Sequence, residues 1–464
     1  YRGKLLINHG LIESDHADLE SEGDLLLDGK GHASNQGSGT GLMTSAGYGT
    51  GGSHGGQGGY FDGSTTGATY GSVYTPLALG SGGGSSATGP GGAGGGLLHW
   101  IIGKLIHLNG FVSASGMDSS STDAGGGSGG SILIEATNIT GHGEIRVNGG
   151  QGLHRGAGGA GGRIGIHIRH QNNYGGLFVA RGGKCGTSHQ NPSFGNGAAG
   201  TVYKYESRRG PQYRELKYSA INVTEFKPEH SKLKIDNGVI EVDHPAVVME
   251  EGTIFYEFDE VQIEGHSYLH FYHPIEAHNV TVVVHELTGN KQGLIRVQSR
   301  QRLFVHIVES THTYLDAPCG FHVDWGGEVV LPTTLVVLTE AIIIEGRITG
   351  VEELIIERGG EMRFVGKAHT AVLPEKSQWF VDKPYSDHTP GLLTTAEVTV
   401  NNLGILKLSM DPTEPVMDIG ELLVKNGGLL DLQTKKVKID AGVVVVEYEG
   451  VVTSDGKGYG AQQG

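Results

Sequence analysis

Short apolar runs alternate with polar positions along most of this chain. In Arg163–Arg169, Ile164, Ile166 and Ile168 fall on one side, and Arg163, Gly165, His167 and Arg169 on the other. That is the period-2 pattern of a strand with one buried face. Ile132 and Ile134 repeat it in SILIE, and Ile145 and Val147 in GEIRVNGG. Asp28-Gly29, Asn109-Gly110 and Gly141-His142-Gly143 read as turns between such strands. No amphipathic helix of three turns is predicted. Ile106 and Ile132 are 26 residues apart, and Ile132 and Ile164 are 32 apart. Those spacings suit one coil of a solenoid better than a hairpin of a sandwich. The expected fold is all-β: an elongated parallel β-helix (β-solenoid) with glycine-rich loops.

A second pattern begins near Glu206. Twelve-residue segments run Glu260–Phe271, Glu353–Phe364, Glu397–Leu408 and Glu421–Leu432. Each reads as strand, tight bend, strand, with an aliphatic residue fourth and an apolar one last. The last two are 24 residues apart, a plausible coil length. Residues 372–391 read as a loop leaving the stack. The chain therefore divides into leading strands (1–31), a glycine-rich β-solenoid (32–205), a Val/Ile-rich β-solenoid (206–450) and a short tail (451–464). The tail echoes the start. Glu447–Gly464 and Glu20–Gly37 align without gaps at an offset of 427, sharing nine of eighteen residues, Asp-Gly-Lys-Gly among them. The tail is read as the start of a next repeat unit.

Composition changes the picture in the first half. Of 81 glycines, 56 lie in the first 200 residues. There is no Gly-X-Y period and proline is scarce, which excludes collagen. The ordered isoleucines between the glycines argue against a disordered linker. Glycine is expected where coils bend with φ > 0, or where backbones approach too closely for a Cβ. Glycine-rich arcs could then pack on one another and satisfy their own N–H and C=O groups. The formal charge of −16 argues against a nucleic-acid partner and would suit divalent cations at the surface. No run of about 18 apolar residues occurs, so no membrane span is expected in this chain. The chain opens on Tyr1 inside a strand-like pattern, as a piece of something longer would.

The order of motifs between Gly51 and Tyr203 resembles one family. The motifs are GGSHGGQGG at Gly51–Gly59, Tyr70–Gly84, Gly94–Gly116, GGGSGGSI at Gly125–Ile132, Gly141–Gly150, GGAGGRIGI at Gly158–Ile166 and Gly182–Tyr203. The series is similar to that of the large glycine-rich secreted or membrane-anchored proteins of plants and other eukaryotes, over about a third of the chain. Cys185 falls where that family also carries a cysteine. The resemblance implies a right-handed β-helix and an extracellular or cell-surface setting, and no particular activity.

Candidate chemistry is sparse. Cys185 and Cys319 could form one disulfide in an oxidising compartment, or remain separate thiols. Asn138, Asn222 and Asn279 head N-x-S/T sequons and would carry N-linked glycans on a secreted eukaryotic protein. Gly51-x-Ser53-x-Gly55 matches a nucleophile elbow but lacks a following helix. Gly156-x-Gly158-x-x-Gly161 matches a dinucleotide fingerprint but precedes a strand. Gly103-Lys104 resembles the end of a P-loop, with Leu98 and Leu105 in place of the required Gly and Ser/Thr. His107, His167, His170, His270 and His306 are expected on outward strand faces or in turns. Asp28 and Asp455 are weak candidates for Ca²⁺ at turns, and no other cofactor is expected. Together these readings point to a non-enzymatic extracellular structural protein, the repeat unit of a filament or stalk that self-associates end to end. The alternatives are an adhesin or carbohydrate-binding module, for which Tyr60, Phe61, Tyr70 and Tyr74 are the aromatic candidates, and a β-helix polysaccharide lyase or hydrolase, which needs carboxylates stacked on adjacent coils.

Overall fold

A computed structural model describes residues 4–6, 9–61, 63–207, 230–242, 244–248, 253–272, 279–305, 314–316, 319–324, 326–331, 334–337, 342–344, 347–349, 353–356, 361–365, 393–400, 405–409, 417–432 and 439–454. The protein is all-β, with mostly parallel strands in large sheets and, among the described residues, one helical turn, Pro192–Gly195. It divides into two compact units. One is Tyr1–Glu251 with Phe258–Tyr272, and the other is Gly252–Glu257 with His273–Gly464.

In the first unit, long and short strands alternate. The long ones are β2 (His9–Leu19), β4 (Leu97–Leu108), β6 (Ser131–Gly141), β8 (Arg163–Tyr174) and β10 (Thr201–Glu206). They pair in parallel in that order. The short ones are β1 (Lys4–Leu6), β3 (Asp24–Leu26), β5 (Phe111–Ser113), β7 (Glu144–Arg146) and β9 (Leu177–Val179), forming a parallel sheet of their own. The expected turns at Asn109-Gly110 and Gly141–Gly143 are therefore corners between sheets. Ile132 stands opposite Leu98 and Ile164, so the parallel register recurs after 34 and 32 residues. Ile106 stands opposite Ile139, not Ile132, which corrects the 26-residue spacing. Leu98, Ile106, Ile132, Ile139, Ile145 and Ile164 are all fully buried in one core.

Each long strand from β4 to β10 is entered from a glycine run. Gly125–Gly130 shows how such a run packs. Gly125 and Ser128 donate to Gly84 and Ser81, Gly126 and Gly129 to Ala157 and Ala160, and Gly127 and Gly130 to Met117 and Ala114. Every third residue thus bonds the same neighbouring segment. Three residues per turn with no internal bonds is the geometry of a polyproline II helix, and here its backbone groups are satisfied by three flanking segments. The run 157–162 repeats the rule, toward Gly49 and Gly52, Gly195 and Ala198, and Gly150 and Val147. At glycines of these runs the packing leaves no space for a Cβ. A Cβ on Gly127 would lie 2.0 Å from the Ala93 carbonyl oxygen, and one on Gly130 would lie 1.9 Å from that of Gly96. The glycines are needed for close backbone approach, as expected.

The stack reverses at its tenth strand. β10 pairs antiparallel with β11 (Ser231–Asp236), which in turn pairs in parallel with β13 (Phe255–Glu264). Buried Val202 stands opposite Lys234, and Tyr203 opposite buried Leu233. Residues opposite each other share a face, so the apolar side changes face at this junction. β12 (Ala246–Val248) and β14 (Tyr268–Phe271) add a parallel pair. The reversal coincides with the change of composition near Glu206.

The second unit is parallel throughout its described pairings. Its strands Glu353–Ile356, Leu393–Val400 and Met417–Val424 stack in a register that aligns Glu353, Glu397 and Glu421. The fourth residues of the twelve-residue pattern, Ile263 in the first unit and Ile356, Val400 and Val424 in the second, are all fully buried. The pattern was legible, and its 24-residue spacing is the register offset between Leu393–Val400 and Met417–Val424. The expected excursion at 372–391 lies outside the described residues.

Candidate functional site

The glycine-rich body encloses a polar centre. Arg163, the first residue of β8, is fully buried. Its Nε donates to the Tyr70 carbonyl at 3.0 Å, Nη1 to Thr201 Oγ1 at 3.1 Å and Nη2 to the Val247 carbonyl at 3.0 Å. One side chain thus ties the Tyr70 loop, β10 and β12 together. His54 lies beside it, fully buried, its ring stacked on Tyr70 at 4.6 Å. Nδ1 donates to the Gly129 carbonyl at 2.8 Å, which leaves Nε2 as the lone-pair nitrogen. Burial, reinforced by the Arg163 charge, lowers the His54 pKa to about 3. Tyr70 Oη meets the Leu79 carbonyl and Ser81 Oγ at 2.5 and 2.7 Å, and burial raises its pKa to about 12. A neutral imidazole, a neutral phenol and a hydrogen-bonded guanidinium make a structural knot.

A second cluster lies at Asp123. Its carboxylate accepts from His154 Nδ1 at 2.6 Å and from Arg155 Nε and Nη2 at 3.1 and 2.9 Å. Arg155 also bonds Tyr48 Oη and covers the Tyr48 ring at 4.4 Å. Burial pushes the Asp123 carboxyl upward, but the Arg155 and His154 bonds outweigh it and hold the pKa at about 2. This cluster is invisible in sequence, because its partners come from three loops; Asp123 and His154 both carry a positive φ, at 63° and 58°.

The aromatic candidates each take a separate ring partner. Tyr60 stacks on Phe194 at 5.6 Å, Phe61 on His189 at 4.4 Å, Tyr70 on His54, and Tyr74 meets Tyr203 edge-on at 4.9 Å. The histidine expectation needs correcting in part. His167 Nε2 bonds the Tyr74 carbonyl at 2.8 Å under a loop that crosses the strands, and His270 is buried. Pro76 in that loop would meet a Cβ on Gly165 at 2.8 Å, which accounts for a glycine in mid-strand. His107 bonds Thr140 Oγ1 at 2.9 Å, His170 is exposed, and His306 lies outside the described residues.

Carboxylates on the strand faces meet bases. Glu135 pairs with His99, Glu260 with Lys232, Glu257 with His285 and Asp324 with Arg296, at 2.6–2.8 Å and mostly between neighbouring coils. Among the described residues no group of three or more His, Cys, Asp or Glu side chains is placed to hold a metal ion. One Asp28 oxygen accepts from Ser113 Oγ and the Ser115 amide at 2.5 and 2.7 Å, and Asp455 lies outside the described residues. Cys185 and Cys319 are both free thiols, the first half-buried and the second fully buried, so the possible bridge is not formed. Burial raises both thiol pKa values. Asn138 lies within β6, its Nδ2 donating to the Lys104 carbonyl at 3.2 Å. Asn279 precedes the strand Val280–Gly289, and Asn222 lies outside the described residues. Ser53 of the elbow-like motif is buried and its Oγ accepts from Gly58 N at 2.9 Å. Gly156–Gly161 feeds β8, and Gly103-Lys104 forms a bulge in β4. No helix among the described residues is long and apolar enough to cross a membrane.

The surface of the last coil stands apart. Val443, Val444 and Val446 on Ile439–Val446, and Val451 and Val452 on Val451–Thr453, are 44–56% exposed. Those strands pair with Met417–Val424 and Leu429–Leu432 on one side, and with no other described strand. No protein family, curated protein or solved structure matches this chain.

Proposed function

We propose that this chain is a unit of an extracellular structural protein, a parallel β-helix whose coils stack within the unit and whose units stack end to end into a filament or stalk. The observation that carries the reading is the apolar open edge at the last coil. A parallel stack left with half-exposed valines along one edge is a template for further strand pairing. The buried polar groups support the same reading. Arg163, His54 and Tyr70 are spent on joining segments of the glycine-rich body, and the strand-face carboxylates on joining coils. Electron microscopy and light scattering over a concentration series test the proposal. Filaments with an axial repeat near one unit length are expected, and a monodisperse species at high concentration would refute it.

A further inference from the structure

The last coil reproduces the first. β2 ends at Leu19 and the last long strand at Val446, an offset of 427. β3 is Asp24–Leu26 and the last short strand is Val451–Thr453, again 427 apart. In the turns between them, Gly23 N donates to the Glu20 carbonyl at 2.8 Å and Gly450 N to the Glu447 carbonyl at 3.0 Å. This is the offset at which nine of eighteen residues are identical.

The two coils also agree in face. Ala17 and Leu19 are in register with buried Ile106 and Leu108, and Leu25 with buried Val112. Their counterparts Val444, Val446 and Val452 are in register with buried Leu422, Val424 and Leu430. The order of elements is the same: a short strand (β1, or Leu429–Leu432), a long strand, then a short strand paired to the first. The coils differ in cover. Leu25 is 3% exposed in a strand with partners on both sides, whereas Val452 is 44% exposed in a strand with one described partner.

We propose that this edge seats a second copy of the unit, with residues 439–454 standing in for that copy's residues 12–27. The copy's Leu97–Leu108 pairs in parallel with Ile439–Val446, and its Phe111–Ser113 with Val451–Thr453. The register of the first coil carries over, so Ile106 faces Val444, Leu108 faces Val446 and Val112 faces Val452. The aliphatic row is kept in each case, and the three valines become buried. The proposal rests on the stacking reading above and adds to it the partner surface and the register.

A tandem chain tests it: residues 1–464 continued directly by residues 38–464, so that the echo serves both copies. Hydrogen exchange is read at Val443–Val446, Val451 and Val452 in the tandem chain and in the single unit. The amides directed away from the preceding coil should exchange about 100-fold more slowly in the tandem chain, because an edge strand becomes an interior one. Equal rates would overturn the proposal. A cysteine pair gives a second readout, V445C with H107C of the second copy, placed opposite each other by the Asp18–His107 register. Crosslinking within the tandem chain is expected, and its absence would also overturn the register. The stacking reading is scored separately on the single unit. Filaments without tandem protection would keep stacking and reject this seat, and protection without filaments would keep the seat and reject self-assembly.

Discussion

Gly130→Ala measures how tightly the glycine-rich body is packed. The new methyl group would lie 1.9 Å from the Gly96 carbonyl oxygen, where no real Cβ comes within 3.0 Å. The carbonyl must therefore retreat by more than 1 Å. It accepts the Ser131 amide at 3.0 Å, so the retreat breaks a buried backbone bond at the start of β6. Losing that bond costs about 1–3 kcal/mol. Overpacking of the surrounding backbone adds about 1–3 kcal/mol. The expected destabilisation is therefore about 2–6 kcal/mol. Gly103→Ala is the control. That glycine lies in the exposed bulge of β4, and the nearest obstacle to its Cβ is the movable Asp15 side chain at 2.8 Å. It should change stability by no more than about 0.5 kcal/mol. Denaturant unfolding of both variants, at unchanged slope, is the assay. If Gly130→Ala fell within about 0.5 kcal/mol of the control, glycine would be present for flexibility, and the three-residue packing rule would be wrong.

Three further outcomes follow from the polar groups. Arg163→Met should cost about 3–5 kcal/mol in denaturant unfolding, because the Tyr70 and Val247 carbonyls and Thr201 lose a buried donor; a loss under about 1 kcal/mol would show that water replaces it. His54 has a pKa of about 3 when folded against 6.5 ordinarily, so its contribution is intact above pH 6.5 and is lost as pH falls from 6.5 toward 3. His54→Gln should flatten the stability profile in that window, and an unchanged slope would count against a neutral buried imidazole. Asp123 is also depressed, against the effect of burial and by its bonds to Arg155 and His154. Its pKa of about 2 makes its contribution present above about pH 4 and lost as pH falls toward 2, and Asp123→Asn should remove that acid dependence without affecting the slope between pH 4 and 6.

The strands were legible because burial of one face imposes a period of two, and the isoleucines of β6 and β8 obey it. Coil length in the second unit was legible because Glu397 and Glu421 occupy equivalent places in a repeated sequence. Coil length in the first was misjudged at one step because β4 is twelve residues long and carries inward residues at both ends, so Ile106 and Leu98 are equally apolar choices. The Asp123 cluster and the Arg163 knot were not legible. Arg163 reads as the polar member of an alternating strand, and only the loop and β12 carried over it convert that outward position into a buried one. The ring partners of the aromatic candidates were equally hidden, since His54, Phe194, His189 and Tyr203 come from other segments.

The reversal at β10 and β11 explains why the chain needs two compositions. From β4 to β10, each long strand is entered through a glycine run whose backbone is satisfied by three flanking segments, and the apolar core lies between the two sheets. Such a body can grow only while every coil supplies a glycine run. β11 carries Lys232 and Lys234 on the face that Val202 occupies, so the first core ends there. Leu233 and Ile235 begin an apolar row on the other face, in register with buried Val261 and Ile263. Lys204 marks the boundary: its amine lies 4.1 Å from the centre of the Phe178 ring, and burial, with Lys232 nearby, lowers its pKa to about 8. The apolar row of the first unit ends on charged residues at β11, whereas Val444, Val446 and Val452 of the second unit are half-exposed. The first boundary is sealed by the chain itself. The second keeps the aliphatic row of the first coil, which is the arrangement a further unit requires.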